Sequence, residues 1–200
     1  MKIIDQSFEY VQKPLFPLLI IELCGRTAYQ SQDKITPDSD RKFVEMILSR
    51  GHDSVLEHVS ITMRLITSRA VCLELVRHRL ASFTMESQRY VRYEDDCIFI
   101  KPVWFDRNVE RAKLWQLAMQ TSEFYYKGLL KGGASPQEAR DALPNATKAE
   151  IVITANVREW RHILKLRTSS KALPQMRELM IGVLNSFQKE FPVLFDNIYI

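Results

Sequence analysis

The 200 residues include 28 basic and 24 acidic side chains, giving a net charge of +4, and 46% of them are hydrophobic. This ordinary balance suits a soluble protein with one globular domain spanning 1–200, and nothing in it demands a second. The longest apolar run, Leu15 to Leu23, is broken by Pro17 and Glu22 and is too short to cross a bilayer.

Acidic residues come early, at Asp5 and Glu9, so the profile of a signal peptide is missing and a cytoplasmic location is expected. Three widely spaced cysteines, Cys24, Cys72 and Cys97, argue against a disulfide framework or a zinc site. The small positive excess fits a nucleic-acid binder and an enzyme with phosphorylated ligands equally well.

In chain order, the first expected element is a helix over 37–50, with Thr36 as N-cap, Pro37 in the first turn and Gly51 as the stop. His58 to Ile66 alternates, with Val59, Ile61, Met63 and Leu65 on one face, and predicts a half-buried strand. Ser68 to Val76 is apolar nearly all round and predicts a buried helix that carries Glu74, Arg77 and His78 on one side. A polar loop follows, then a short strand at Ile98 to Ile100 stopped by Pro102. A long amphipathic helix over 106–131 ends at Gly132 and Gly133. Ser135, Pro136, Gln137 and Glu138 form a capping box that starts a short helix closed by Pro144. A strand from Lys148 to Ala155 and helices over about 156–166 and from Pro174 to Lys189 complete the chain. The expected class is α+β, helix-rich, with a small antiparallel or mixed sheet.

Arginines cluster at Arg77, Arg79, Arg89 and Arg92, and again at Arg158, Arg161 and Arg167. A guanidinium grips phosphate or carboxylate with a planar fork of donors, which an ammonium cannot do. Ser87 and Arg89 are two apart, so in an extended stretch they would hold one phosphate together. On residues alone, that loop reads equally well as a solvated basic surface. Arg161 reads as part of an exposed helix face.

The glycines form neither a dinucleotide fingerprint nor a P-loop, and no nucleophile elbow occurs. His52, Glu57 and His58 lack metal-ligand spacing, so no metal is expected. Trp104, Trp115 and Trp160 are assigned to core or interface. Cys72 lies in an apolar helical run and is expected to be inert.

The segment from Arg77 to Tyr90 follows the pattern R-H-R-x-x-S-x-x-x-x-S-x-R-Y, which resembles the signature of flavin-dependent thymidylate synthases. Gly51 to His58 is similar to that family's G-H-x-S-x-x-E-H element, and Glu74 fills a position where members carry Glu or Gln. Ala139-Arg140 before Leu143-Pro144, and Asn156-Val157-Arg158 to Leu166-Arg167, resemble two further family elements. The likeness covers about Gly51 to Arg177.

The resemblance implies reductive methylation of dUMP to dTMP, with methylenetetrahydrofolate as carbon donor and FAD, reduced by NADPH or NADH, as hydride donor. It implies no cysteine nucleophile. FAD contacts would fall on Ser54, Arg77, His78, Arg79, Ser82, Met85, Asn156, Arg158 and His162. The dUMP set would be Glu74, Arg77, Met85, Glu86, Ser87, Gln88, Arg89, Arg140 and Arg167, with Arg167 activating the pyrimidine; His52 would have a hydrogen-bonding or flavin-edge role. A homotetramer with sites shared between subunits is implied, with no nucleic-acid or membrane partner. The sequence departs from the family at Met85, where members often carry Glu or Gln, and at Thr84, where they often carry Asn. His162 stands where some carry Asn. Met85 leaves room for a flavoprotein that oxidises nicotinamide without methylating dUMP, and the arginines leave room for a nucleic-acid-binding module.

Overall fold

A computed structural model describes all 200 residues. The strands are β1 (Lys2–Ile4), β2 (Ser7–Gln12), β3 (Ser60–Ser68), β4 (Ala81–Met85), β5 (Ile98–Ile100) and β6 (Lys148–Asn156). The helices are α1 (Pro17–Ala28), α2 (Ser39–Arg50), α3 (Arg69–Leu75), α4 (Val109–Lys131), α5 (Pro136–Ala139), α6 (Val157–Arg167), α7 (Pro174–Glu190) and α8 (Pro192–Phe195). One sheet has the order β2-β3-β6-β4, and β1 pairs with β5 in parallel, Ile3 opposite Phe99. The class is helix-rich α+β.

The chain packs as two compact units, each assembled from separated stretches. The first comprises Met1–Phe8, Arg64–Arg77 and Phe83–Val152; the second comprises Glu9–Met63, His78–Ser82 and Ile153–Ile200. In the first unit, Cys97 and Phe99 pack with Met119, Tyr126, Leu130 and Ala139, so α4 lays its apolar stripe against β5. The second unit is built around aromatic rings: Phe187 meets Trp160 at 5.2 Å and Phe195 at 4.9 Å, both edge-on. Trp160 is fully buried, and its indole N–H donates to the Ile61 carbonyl at 2.9 Å, which meets the polar requirement of a buried tryptophan.

Most expected boundaries lie within a few residues of those observed, and the differences have local causes. α2 starts at Ser39 because the Ser39 hydroxyl bonds the Thr36 backbone on both sides, tying 36–39 into a turn. Gly51 ends that helix at φ +68°, a left-handed conformation that suits glycine. β3 begins after a 310 turn over Asp53–His58, so His58 precedes the strand, and Thr62 is buried because it meets Thr154 across the sheet at 2.9 Å. α3 is capped by the Ser68 hydroxyl, as its position before the helix suggests, yet Leu73 and Val76 remain 46% and 39% exposed. That helix buries one side only. The capping box at Ser135 and Glu138 is present.

Unexpected are β1, β2, α1, α8 and above all β4. Residues 81–85 are a strand, with Ala81, Phe83 and Met85 facing inward between the exposed Ser82 and Thr84. No helix is long and apolar enough to cross a membrane.

Candidate active site

In the second unit, one end of β6 and the α6 helix gather titratable groups around a buried histidine. Asn156 closes β6 and caps α6, its Oδ1 accepting from the Glu159 N–H at 2.9 Å. Glu159 and His162 are three apart and share a helix face, while Arg167 occupies the last turn. His78, just beyond α3, is 5% exposed. Its Nε2 accepts from Arg167 Nε at 3.0 Å, and its Nδ1 lies 3.3 Å from Glu159 Oε1. The His162 ring stands edge-on at 5.8 Å.

Arginine can only donate, so Nε2 must present its lone pair, and His78 is a neutral imidazole with its hydrogen on Nδ1. Burial, followed by the nearby charges of Arg167 and His162, pushes its pKa down to about 4. Burial raises the Glu159 carboxyl, with His162 pulling it partly back. The trio His78, Glu159 and His162 has a metal-like composition. A cation on Nδ1 would force hydrogen onto Nε2, however, and Arg167 already occupies that position as donor.

Two cavities open beside this group. One of about 540 Å³ is lined by Asp53, Glu57, Asn156, Arg158, His162 and Lys165, among others. A second of about 330 Å³ shares Glu57, Leu80 and Asn156 with it and adds Arg79, Ser82 and Thr154. Arg158 pairs with Glu57 at 2.5 Å, a bond that raises its pKa. A larger cavity of this unit, about 910 Å³, lies elsewhere, between the stretches 13–19, 35–41 and 190–194. Its walls are mainly Leu, Phe, Pro and Val, and it contains none of the expected site residues.

The first unit holds the other cluster. Glu86 continues the β4 pairing through its N–H to the Glu150 carbonyl at 2.8 Å. Its carboxylate accepts from Tyr93 Oη at 2.6 Å, Lys148 Nζ at 2.8 Å and the Glu150 N–H at 3.2 Å. Burial and the Glu86 charge both drive the Tyr93 hydroxyl upward. These residues, with Arg64, Thr84 and Met85, line a cavity of about 530 Å³. Beyond it the chain turns. Ser87 Oγ accepts from the Arg89 N–H at 3.3 Å, and the Val91 N–H reaches the Ser87 carbonyl at 2.9 Å. Gln88 is buried, and its Nε2 makes no hydrogen bond of normal geometry, although it polarises the Tyr93 hydroxyl.

Residues 12–193 match the family described as thymidylate synthase complementing protein. The chain belongs to the flavin-dependent thymidylate synthase family. Proteins of that name from Corynebacterium aurimucosum and Geobacter sulfurreducens are 34% and 33% identical over 90% of this chain and 80% and 81% of their own length. One from Pyrococcus abyssi is 32% identical over 90% of this chain and 77% of its own. Among solved structures, the UMP/dUMP methylase PolB from Streptomyces cacaoi, bound with 5-Br dUMP, superposes with a TM-score of 0.86 at 22% identity. The alignment covers 98% of this chain and 96% of that one, and it shows the shared fold.

The donor chemistry fits a flavin dinucleotide. Arg79 and Ser82 line one cavity, Arg158 and His162 the other, and Asn156 both. Arg79 has no carboxylate partner, so its charge remains available to a diphosphate. Ser54 is exposed on the 310 turn before β3, and His52 is exposed at its start. Among residues assigned to dUMP, Arg77 and Arg140 also lack a carboxylate partner. Arg89 leans on the Gln137 side chain at 3.4 Å and lies 5.6 Å from the Tyr90 ring. Glu74, Arg77, Met85, Glu86, Ser87, Gln88, Arg89 and Arg140 all fall in the first unit. His78, Arg79, Ser82, Ser54, Asn156, Arg158, His162 and Arg167 fall in the second.

Three expectations need correction. Ser87 and Arg89 lie on a turn rather than an extended stretch, because the Ser87 hydroxyl caps the Arg89 N–H. The carboxylate of Glu86 is engaged by Tyr93, Lys148 and the backbone, and its N–H by the Glu150 carbonyl, so neither its side chain nor its main-chain donor stands free. Arg161 is 6% exposed and donates to the Leu194 carbonyl, so it belongs to the core. Sequence reasoning also passed over Glu159, Tyr93 and Lys148. Of these, only Glu159 carried a signal, its three-residue spacing from His162 on the helix.

Proposed function

We propose that this chain, read as one domain over 1–200, methylates dUMP to dTMP with a carbon from methylenetetrahydrofolate. When bound, FAD reduced by NADPH or NADH supplies the hydride that completes the methyl group. Ser54, Arg77, His78, Arg79, Ser82, Met85, Asn156, Arg158 and His162 would hold the flavin. Glu74, Arg77, Ser87, Gln88, Arg89 and Arg140 would hold the nucleotide, with Met85 and Glu86 beside it. Arg167 would face the pyrimidine and stabilise negative charge as C5 becomes nucleophilic.

One observation carries the reading: in a family of this chemistry, Arg77, Arg79, Arg89 and Arg140 have no carboxylate within ion-pair distance. Uncompensated guanidiniums from separate segments suit a phosphorylated nucleotide and a dinucleotide better than they suit a self-neutralised surface. The 5-Br dUMP complex of PolB supports the same nucleotide class. Neither Cys72 nor Cys97 suits a nucleophile, because burial pushes Cys72 up to about 12 and Cys97 up to about 11.

The enzyme would act in the cytoplasm as a homotetramer whose sites draw residues from several chains, without nucleic-acid or membrane partners. An apolar stripe on α4 supports self-association: Leu114, Leu117 and Phe124 are 69%, 60% and 71% exposed at heptad spacing. The direct test is tritium release from the uracil C5 position of dUMP, with UMP run in parallel. Arg167→Ala should keep bound flavin, seen by its absorbance, and lose most dTMP formation; near-normal turnover would remove Arg167 from the mechanism.

A further inference from the structure

Glu159 is a buried carboxylate that the reading above leaves without a task. It is 7% exposed, and a carboxylate so placed loses hydration that only a donor can replace. The Asn156 cap engages its backbone N–H but leaves its oxygens alone. His78 Nδ1 lies 3.3 Å from Glu159 Oε1, and a ring nitrogen of His162 lies within 4.8 Å of the same group. On the other side of the same ring, Nε2 accepts from Arg167 Nε at 3.0 Å.

An imidazole that accepts at Nε2 must carry its hydrogen at Nδ1, and a carboxylate beside Nδ1 stabilises that tautomer over the other. The opposite tautomer would point two hydrogens at each other across the His78–Arg167 contact and a lone pair at Glu159. We propose that Glu159 and His78 are positioning residues. Glu159 holds the proton on Nδ1, so that Nε2 keeps its lone pair on the Arg167 guanidinium and fixes the direction in which that charge points. Neither touches the reacting carbon. Arg167 stands in the last turn of α6, and a guanidinium aimed at developing charge acts only if its direction is set beforehand. A metal reading of the same trio fails on the same hydrogen count. The catalytic consequence rests on the proposed role of Arg167, whereas the tautomer does not.

The experiment uses the flavin-bound full chain with 15N-labelled histidine, and reads the two ring nitrogens of His78 at neutral pH. The wild type should show a neutral ring protonated at Nδ1. Glu159→Ala should mix the tautomers and lower kcat for dTMP formation about tenfold, more than it changes KM for dUMP. Flavin reduction by nicotinamide should be unchanged. Glu159→Gln keeps an acceptor oxygen and should restore both the tautomer and most of the rate. A wild-type His78 that is cationic or protonated at Nε2 overturns the proposal whatever the variants do, including the case where Glu159→Ala fails to fold. An unchanged tautomer with unchanged turnover in Glu159→Ala overturns it as well, as does a Glu159→Gln rate no better than the Ala rate. Normal turnover in Arg167→Ala would instead sink the functional reading, and the ring-nitrogen spectrum would still decide the His78 tautomer.

Discussion

Acidification should weaken the folded chain through His78, and the sign follows from its environment. The ordinary pKa is 6.5 and the folded one about 4, lowered first by burial and then by Arg167 and His162. Between those two values the unfolded chain binds the extra proton and the folded chain does not. The contribution is therefore fully present above 6.5 and lost as pH falls toward 4. Each tenfold difference in proton affinity is worth ~1.36 kcal/mol, so His78 accounts for roughly 3 kcal/mol of stability across that window. Glu159 works in the opposite sense: its raised pKa favours the fold on the acid side and that gain is lost as pH rises through its folded value. The slope of the wild type alone is thus a mixture.

His78→Gln isolates the histidine, because an amide can still accept from Arg167 and does not titrate in this range. Urea unfolding followed by tryptophan fluorescence, at fixed protein concentration and at steps between about pH 7 and about pH 4, gives both curves. The wild type should lose roughly 3 kcal/mol more than His78→Gln over that range. Parallel curves would refute the buried neutral imidazole, and with it the hydrogen-bond direction assigned to Arg167.

The thiols offer a simpler check. Burial pushes Cys72 up to about 12 and Cys97 up to about 11, and both are fully buried, so alkylation of the native chain at mild alkaline pH should mark Cys24 alone. Cys72→Ala should retain dTMP formation; fast labelling of Cys72 with loss of activity would contradict the cysteine-free chemistry. Gly25→Ala in α1 sets two effects against each other. A helix gains about 1 kcal/mol from the exchange, yet the new Cβ would sit 2.6 Å from Cε1 and Cζ of Phe43. Phe43 is itself 6% exposed beneath the Arg26 guanidinium, so it has little room to move. A net loss of about 1–3 kcal/mol in urea unfolding is expected. A more stable variant would mean that Phe43 yields.

How legible the chain was depended on what kind of signal each element carried. α2, α4, α5 and α7 announce themselves through apolar period or end signals: Gly51 closes α2, Gly132 closes α4, the Ser135 capping box opens α5 and Pro174 opens α7. β3 shows through the alternation from His58 to Ile66, and β6 through its β-branched run from Ile151 to Thr154. β4 carried the same alternation in Ala81, Phe83 and Met85, hidden inside a stretch whose arginines and serines suggested a loop. Charge misled at Arg161 for a related reason: a helix wheel shows which residues share a face, and it cannot show that the Leu194 carbonyl waits opposite.

By itself the sequence determined the family, through residue types at matching spacings in four stretches from Gly51 to Arg167, together with the absence of dinucleotide and nucleophile-elbow motifs. Only tertiary structure decided which charges are spent and which are available. Glu86 is consumed by Tyr93 and Lys148, Arg158 pairs with Glu57 a hundred residues away, and His78 is neutral because burial and the charges of Arg167 and His162 disfavour its cation. The physical reason is that protonation and pairing depend on distance and burial, and both are set by segments that the chain order keeps apart.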